Sequence, residues 1–526
     1  MYRALCGKSG PLLRPLIGVT LTLVLCLTSH GQLAARASGP YSFPNENSWI
    51  RVQNIGQADA SVEVSYFDEQ GRIAGKDTCP SVSCPPMYAG SGWTFFQRGN
   101  SGLPSGFQGS AVVSTDQPIV ALLAKDVMRG GNSFSIGGDT VASGPGSHRL
   151  YLPSVPKRDG PNADWNGRFV IQNLSDTVAA CVTVTYLSNA TDDESAWEPF
   201  RAPASGTPSA SLPGCPAGGM PLAPRGSLFR YPENMSIPDR FNGAVRIDLH
   251  RNAQGQGPER QFVSASAETW SSRTTSLGSY RGIDEGDLGT EVVLPLIDRQ
   301  VGPTNSYSTR FQIVNKTPTR PATITMRIDG YNLAEGNQAV SKTNTFTVRG
   351  AKLCVQDRDD AANCLAAGDR LPFNFVGTVR LSSSEPIGVV VDRVTTAGDT
   401  FTDYRGVRPQ DGAKRVLLPV LNKNYGPVGA ANGWNSWFRV MVADGSTANV
   451  TVRYYGLDLP GGSISYTTTI NREFTVFQYL EERLPNGFAG TAIIESDKPL
   501  VALANLFTDV FRGDPDLLYN GISLDR

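Results

Sequence analysis

Four times along this chain of 526 residues the phrase Leu/Ile-Pro-x-x-Phe-x-Gly returns with identical offsets. The copies are Leu103, Pro104, Phe107 and Gly109; Ile237, Pro238, Phe241 and Gly243; Leu371, Pro372, Phe375 and Gly377; and Leu484, Pro485, Phe488 and Gly490. Self-similarity of this kind marks one structural unit used repeatedly, so any fold for the chain must be buildable four times. Length agrees, because roughly 100–200 residues per domain predicts about three to five units. After each Gly runs an apolar alternating stretch such as SAVVS or TAIIE, and in three copies a turn ending in Pro leads to IVALLA, IGVVVD or LVALAN. Each copy reads as two strands joined by a tight turn. Pro suits a strand's first residue, Gly permits close backbone approach, and Phe supplies a buried anchor, so the phrase is read as core-forming.

Two more anchors repeat. SWIRVQN, GRFVIQN, TRFQIVN and SWFRVMV make Asn54, Asn173, Asn315 and Val442 equivalent, and VEVSY, VTVTY, ITMRI and VTVRY follow them. All show the period-two alternation of strands with one buried face. LYLPSV, VVLPLI and VLLPVL open three units, with Pro153, Pro295 and Pro419 placed alike before Gly160, Gly302 and Gly426. The first unit keeps only Gly39-Pro40 of this anchor, so it is expected to be truncated there or to borrow a strand. Units close on YRGI at Tyr280, YRGV at Tyr404, YNGI at Tyr519 and a looser FSIGG at Phe134. These anchors bound modules at 38–147, 148–288, 289–411 and 412–526, each reading as about seven short strands without a helix. Strands that bury one face each usually pack as two face-to-face sheets. The expected fold is therefore all-β, a tandem array of four immunoglobulin-like β-sandwich modules behind a signal peptide.

Residues 1–37 have the signal-peptide layout: Arg3, Lys8 and Arg14, an apolar run from Leu16 to Leu27, then Ala35-Arg36-Ala37, after which cleavage is expected. The run falls short of the roughly 20 residues that cross a bilayer, so no integral membrane span is expected in the mature chain. Leu25 stands where a lipid-modified Cys26 would need a small residue before it. Removing four basic residues from the chain's 47, against 48 acidic ones, leaves a mildly acidic protein. No Lys/Arg cluster supplies the basic surface that nucleic acid requires, so no nucleic-acid binding is expected.

Outside the signal segment, each of the first three modules holds two cysteines. In an exported chain they read as bridges Cys79–Cys84, Cys181–Cys215 and Cys354–Cys364, stapling the variable segment after the second anchor strand. CxxC spacing and neighbouring His are lacking, so neither a metal site nor redox catalysis is expected, and no cofactor. His148 and His250 are the mature chain's histidines and read as strand-end residues, not general bases. GxSxG, HExxH and phosphate-cradling glycine motifs are absent, so no catalytic residue is assigned. A glycosidase using paired carboxylates survives as the alternative, because such pairs come from separate strands and leave no spacing signature.

Acidic groups at Asp192-Asp193-Glu194 and at Asp357, Asp359 and Asp360 match no EF-hand and read as solvated loop charge. Arg512-Gly513-Asp514 is an adhesion-type tripeptide, but it aligns with Arg129 of the first module and reads as a turn that wants Gly. Asn-x-Ser/Thr sites occur at Asn173, Asn189, Asn234, Asn315 and Asn449. Asn173 and Asn315 fall on the repeated strand anchor, where a structural hydrogen bond is the simpler account. Trp49, Trp165, Trp434 and Trp437, with Tyr307, gather at the same strand start in successive modules. They are the aromatics that could stack on sugar rings, with packing at a module junction as the plainer reading.

With these anchors in view, the chain resembles exported bacterial proteins built of tandem immunoglobulin-like β-sandwich repeats, of surface or adhesive type. The likeness covers nearly all of the mature sequence and implies a secreted or cell-surface, non-enzymatic protein. Ligand-binding loops would face a carbohydrate, an extracellular or surface protein, or a neighbouring copy; a filament or surface-layer subunit is a further reading. Binding is expected on the segments between the second anchor strand and the Leu-Pro phrase, which vary most.

Overall fold

The computed structural model describes residues 46–525 apart from 83, 130–132, 142–145, 161, 189–214, 216–218, 232–234, 236, 251–261, 275, 303–305, 359–360, 427–432 and 457. The expected signal peptide, Gly39-Pro40, Asn189, Asn234, Asp192–Glu194, Asp359 and Asp360 lie outside the described residues.

Strands follow the sequence repeats. The first contains β1 (Glu46–Asn54), β2 (Val62–Asp68), β3 (Ile73–Cys79), β4 (Gly92–Phe96), β5 (Gly109–Thr115), β6 (Ile119–Arg129) and β7 (Ser133–Thr140). Next come β8 (Arg149–Lys157), β9 (Trp165–Asn173), β10 (Ala180–Ser188), β11 (Met220–Leu222), β12 (Ser227–Arg230), β13 (Phe241–His250), β14 (Val263–Ser271), β15 (Leu277–Arg281) and β16 (Ile283–Asp284). The third repeat has β17 (Gly289–Arg299), β18 (Tyr307–Asn315), β19 (Ala322–Asn332), β20 (Gln338–Val348), β21 (Ala351–Val355), β22 (Phe375–Thr395) and β23 (Phe401–Arg405). The fourth has β24 (Ala413–Lys423), β25 (Asn435–Val442), β26 (Thr447–Tyr455), β27 (Ser463–Asn471), β28 (Glu473–Phe477), β29 (Phe488–Phe507), β30 (Arg512–Asp514), β31 (Asp516–Asn520) and β32 (Ile522–Ser523). The chain is all-β; among the described residues, helical turns are three-residue 3-10 segments, and none is long and apolar enough to cross a membrane.

Sheets β3-β2-β5 and β7-β6-β1-β4 lie in the first repeat, and β11-β10-β13-β8-β16 and β12-β9-β14-β15 in the second. In the third and fourth, β22 and β29 run on without a break. Their first halves pair with β17 and β19, or β24 and β26, and their second halves with β18 and β23, or β25 and β31. The apolar clusters largely follow the repeats, yet Leu122, Ala124 and Ile136 of the first join the fourth repeat's cluster, and Leu503 and Leu518 of the fourth join the third's.

The repeated phrase has one physical job in every copy. Phe241, Phe375 and Phe488 are buried and Phe107 packs partly buried. Three of these rings meet a tyrosine of the second anchor strand edge-on, at 6.4 Å (Tyr66), 6.2 Å (Tyr186) and 6.1 Å (Tyr454). The Gly two residues on lies between that ring and a strand: a Cβ on Gly109, Gly243, Gly377 or Gly490 would sit 2.0, 2.2, 2.3 or 2.0 Å from a carbonyl oxygen of the facing strand. Backbone cannot yield that much, so Gly377→Ala is expected to cost about 1–3 kcal/mol in urea unfolding. A loss below roughly 0.5 kcal/mol would contradict this packing.

Two anchors far apart in sequence prove to be partners. Strands β8, β17 and β24 bulge at the Pro of the third anchor, where the register shifts against β13, β22 and β29. The residue after each Pro has no ladder partner there, and the closing tyrosine replaces it. Tyr280 hydroxyl accepts from Ser154 N–H at 3.0 Å and donates to its carbonyl at 2.7 Å; Tyr519 does the same to Val420 at 3.2 and 2.6 Å, and Tyr404 to Leu296. Tyr404→Phe leaves both groups of Leu296 unpaired in the core, with an expected loss of about 1–3 kcal/mol and an unchanged fold by circular dichroism. Four residues past the Pro, Lys157, Arg299 and Lys423 donate to the carbonyls of Ile237, Leu371 and Leu484, so the first anchor is tied down as well.

The closing strands touch in cyclic order: β7 with β15, β15 with β23, β23 with β31, and β31 with β7. The repeats therefore do not lie in an open row. Strand β8 also packs on β18 and β22, β17 on β25 and β29, and β24 on β1 and β6. Where closing strands meet, side chains from other repeats cap their backbone donors. Asp514 accepts from Leu277 N–H and Phe401 N–H, both at 2.9 Å; Asp403 accepts from Ser279 N–H at 3.1 Å; Asp139 accepts from Arg281 N–H at 3.0 Å. Asn520 both accepts from Arg405 N–H and donates to its carbonyl at 2.9 Å. Such capping blunts strand edges that would otherwise recruit another chain.

The first repeat is the irregular one. Among the described residues β5 pairs with β2 alone, where β13, β22 and β29 also pair with the strand carrying the Pro bulge. Asp139, not the Phe134 that the FSIGG alignment puts there, occupies the tyrosine's register position, opposite Leu123 as Tyr404 is opposite Val391, and its carboxylate is spent on Arg281 and on Arg405 Nε at 2.9 Å. At its other edge β7 gains a parallel partner, β30 of the fourth repeat.

Candidate functional site

The fourth repeat leaves a groove of about 290 Å³ between the edges of β27 and β28, lined by Tyr466, Thr468, Phe474 to Phe477, Leu480, Glu481 and Arg483. It exists because two sheet edges face each other and, among the described residues, nothing of the fourth repeat is laid between them. Tyr466 and Thr468 come from β27, an edge strand pairing β26; Phe474 and Val476 come from β28, which pairs β25. Alternation directs these side chains inward, and Tyr466, Phe474 and Val476 rest against the fourth repeat's apolar cluster while staying half-buried. At the rim Leu480 is 67% exposed and Phe477 39%. Phe477 meets Tyr479 at 5.5 Å, and Tyr479 meets Phe507 edge-on at 6.0 Å.

The charged rim is a single pair. Arg483 binds Glu481 at 2.8 Å, and its guanidinium lies 4.4 Å from the Tyr466 ring centre. The bond to Glu481 raises the Arg483 pKa, and burial lifts the Tyr466 hydroxyl above its ordinary value. Both hold their usual charge near neutrality, so the groove offers aromatic and aliphatic surface from Phe474, Val476, Phe477 and Leu480, three hydroxyls from Tyr466, Thr468 and Thr475, and guanidinium donors.

All the lining residues belong to the segment between VTVRY and the Leu-Pro phrase, where the sequence places binding. The tryptophans lie elsewhere, at contacts between repeats. Trp165 is buried, 4.9 Å from Phe401 by ring centres; Trp434 meets Phe134 edge-on at 5.7 Å; Trp437 packs on the third repeat's cluster under the Arg393 guanidinium at 5.7 Å; Trp49 packs on the fourth repeat's cluster. Trp270, which the sequence reading did not single out, does the same between the first and second repeats with Val127 and Leu277. Tyr307 donates to Asp516 at 3.0 Å beneath Arg393.

Cysteines pair as 79–84, 181–215 and 354–364, with Cα separations of 5.3, 5.6 and 5.3 Å. His148 stacks on Phe262 and His250 Nε2 shares a hydrogen bond with Thr183, both at strand ends. Asn173 donates to the carbonyls of Val178 and Ala223, and Asn315 to those of Arg320 and Val348. Both are fully buried, so these amides close the turn after the anchor strand, as Asn54 does with Ala58 and Met87. Asn449 is exposed and binds Asp497. The adhesion-type tripeptide is strand β30, with Asp514 fully buried and facing Leu277 and Phe401, out of a receptor's reach. Among the described residues no three His, Cys, Asp or Glu side chains gather as metal ligands would.

No family model matches the chain, and no curated protein matches it. Among solved structures it is similar to one described as the crystal structure of Thermotoga maritima 1070, at 14% identity over 22% of this chain and 96% of that one, with a TM-score of 0.18. A likeness at that score carries no argument about function.

Proposed function

We propose that the protein is an exported, non-enzymatic binding protein of the cell surface or surroundings. Four homologous immunoglobulin-like sandwiches, following a cleaved signal peptide and bounded as the sequence repeats suggest, join through their closing strands and present variable segments to a ligand. The groove of the fourth repeat carries this reading: it is partly aromatic, lined by hydroxyls of Tyr466, Thr468 and Thr475, rimmed by one ion pair, and lies in the segment that differs most between repeats. Three disulfides fit an oxidising compartment. The ligand class is a carbohydrate or an extracellular protein.

A binding array of glycans and matrix proteins, probed with the parent and with Phe477→Ala plus Leu480→Ala, tests it. Binding that the double variant loses, without change in melting temperature, is the expected result. Turnover of a polysaccharide by the parent, abolished by a carboxylate substitution, would replace this reading with that of a glycosidase.

A further inference from the structure

We propose that the groove of the fourth repeat is a receptor for a short apolar peptide segment of a partner protein, held as the third repeat holds its own Cys364-Leu365. The inference rests on the binding role given above and names the ligand class.

Strand register makes the two sites comparable. Phe311 is opposite Cys354 in the third repeat and Phe438 opposite Val476 in the fourth; Met326 is opposite Asn344 and Val452 opposite Tyr466; Ile324 is opposite Phe346 and Val450 opposite Thr468. Phe311 with Phe438, Met326 with Val452 and Ile324 with Val450 are equivalent in the sequence repeat. Val476 therefore stands in the place of Cys354, and Tyr466 in that of Asn344.

What differs is the connection that follows. The third repeat spends residues 356–370 between β21 and its Leu-Pro phrase, the fourth only 478–483 between β28 and its own. The longer connection folds around Asn363, whose amide donates to Arg358 and Asp369 carbonyls and whose oxygen accepts from Leu365 N–H. It then drops Cys364 and Leu365 into the gap, where they are 3% and 6% exposed within the third repeat's core. Two further bonds hold the inserted backbone: Asn344 Nδ2 to Cys364 carbonyl and Gln356 Nε2 to Asn363 carbonyl, each 3.0 Å. Cys354 beneath it is fully buried and disulfide-bonded to Cys364. In the fourth repeat Val476, Tyr466 and Thr468 replace Cys354, Asn344 and Phe346, residues 478–483 insert no plug, and the equivalent strand positions line the open groove.

The protein thus displays, in one repeat, the occupant that fits the other: one aliphatic side chain with its backbone. A space of about 290 Å³ falls just below the roughly 300–1,000 Å³ of ligand pockets, the scale of one or two inserted side chains. Strands β27 and β28 each pair on one side among the described residues, so their other edges and the Arg483 guanidinium can serve peptide carbonyls and amides.

The test uses the full-length protein carrying Val476→Cys and the synthetic peptide of residues 361–369 supplied as its mixed disulfide with 2-mercaptoethanol; the introduced thiolate attacks that disulfide, forms the protein–peptide bond and releases 2-mercaptoethanol. The control peptide carries Leu365→Asp. Conjugate is quantified by intact mass across a 2-mercaptoethanol series. Burial of the leucine should let the parent peptide withstand about tenfold more reductant than the control. Equal sensitivity of the two conjugates overturns the proposal. In case the cysteine variant misfolds, a fluorescent peptide carrying Cys364→Ser is titrated into the unmodified protein. Anisotropy that rises, and rises at least about threefold more weakly with Leu480→Asp protein, supports it; no rise at millimolar protein overturns it. Array binding with no leucine preference would sink this inference and leave the general reading standing, whereas polysaccharide turnover would sink the general reading and this inference with it.

Discussion

Asp514→Ala is expected to destabilise the fold by about 2–5 kcal/mol, whereas Asp514→Asn should stay within about 1 kcal/mol of the parent at neutral pH. Alanine strands two buried donors at once, Leu277 N–H and Phe401 N–H, and these belong to two repeats other than the one that supplies the aspartate. Asparagine keeps an acceptor at the same place. Burial, then Asp516 nearby, pushes the Asp514 carboxyl well above its usual range. A group whose folded pKa is raised contributes stability fully below its unfolded value near 3.8 and loses it as pH rises through the folded pKa. The difference in urea midpoint between Asp514→Asn and the parent should therefore move in the variant's favour from pH 4 to pH 8. A pH-independent difference would mean that this carboxyl titrates as an ordinary one.

Arg168→Met should cost a comparable 3–5 kcal/mol, about the loss from breaking a buried ion pair by removing one partner. Arg168 and Glu268 are nearly inaccessible and 2.5 Å apart; Lys125 binds Glu268 at 2.6 Å and Glu46 at 3.1 Å, so the network joins the first repeat to the second. Burial alone would raise Glu46, but the Arg168 and Lys125 charges overcome it and bring its pKa to about 2. The sign is opposite to that of Asp514. This stability is present above the unfolded value of 4.5 and disappears as pH falls through about 2. The penalty of Arg168→Met, measured by urea unfolding, should accordingly shrink between pH 5 and pH 2. A penalty under about 1 kcal/mol at pH 7 would show the network to be solvated.

How much of this could be read from residues alone divides along a physical line. Strand alternation and the Leu-Pro phrase are local, and Phe375 and Gly377 do in the core what their chemistry suggests. The cysteine pairs were legible because each fell within one repeat. Contacts between closing strands were not, because they depend on single residues that break the repeat: Asp514 in a tripeptide that reads as a turn, and Asp139 where the other units carry tyrosine. The groove had a visible sign, the missing cysteine pair of the fourth repeat. Its meaning needed the register that places Val476 on Cys354.

The closing strands β7, β15, β23 and β31 form one shared junction. Native-state hydrogen exchange of peptides covering Leu277–Arg281 and Phe401–Arg405, followed by mass spectrometry, tests this most directly. Capped by Asp514, Asp403, Asp139 and Asn520, these amides should exchange as slowly as the buried strands β18 and β25, and Asp514→Ala should speed both peptides together. Exchange at the rate of exposed edge strands in the parent, or acceleration of one peptide without the other, would contradict it.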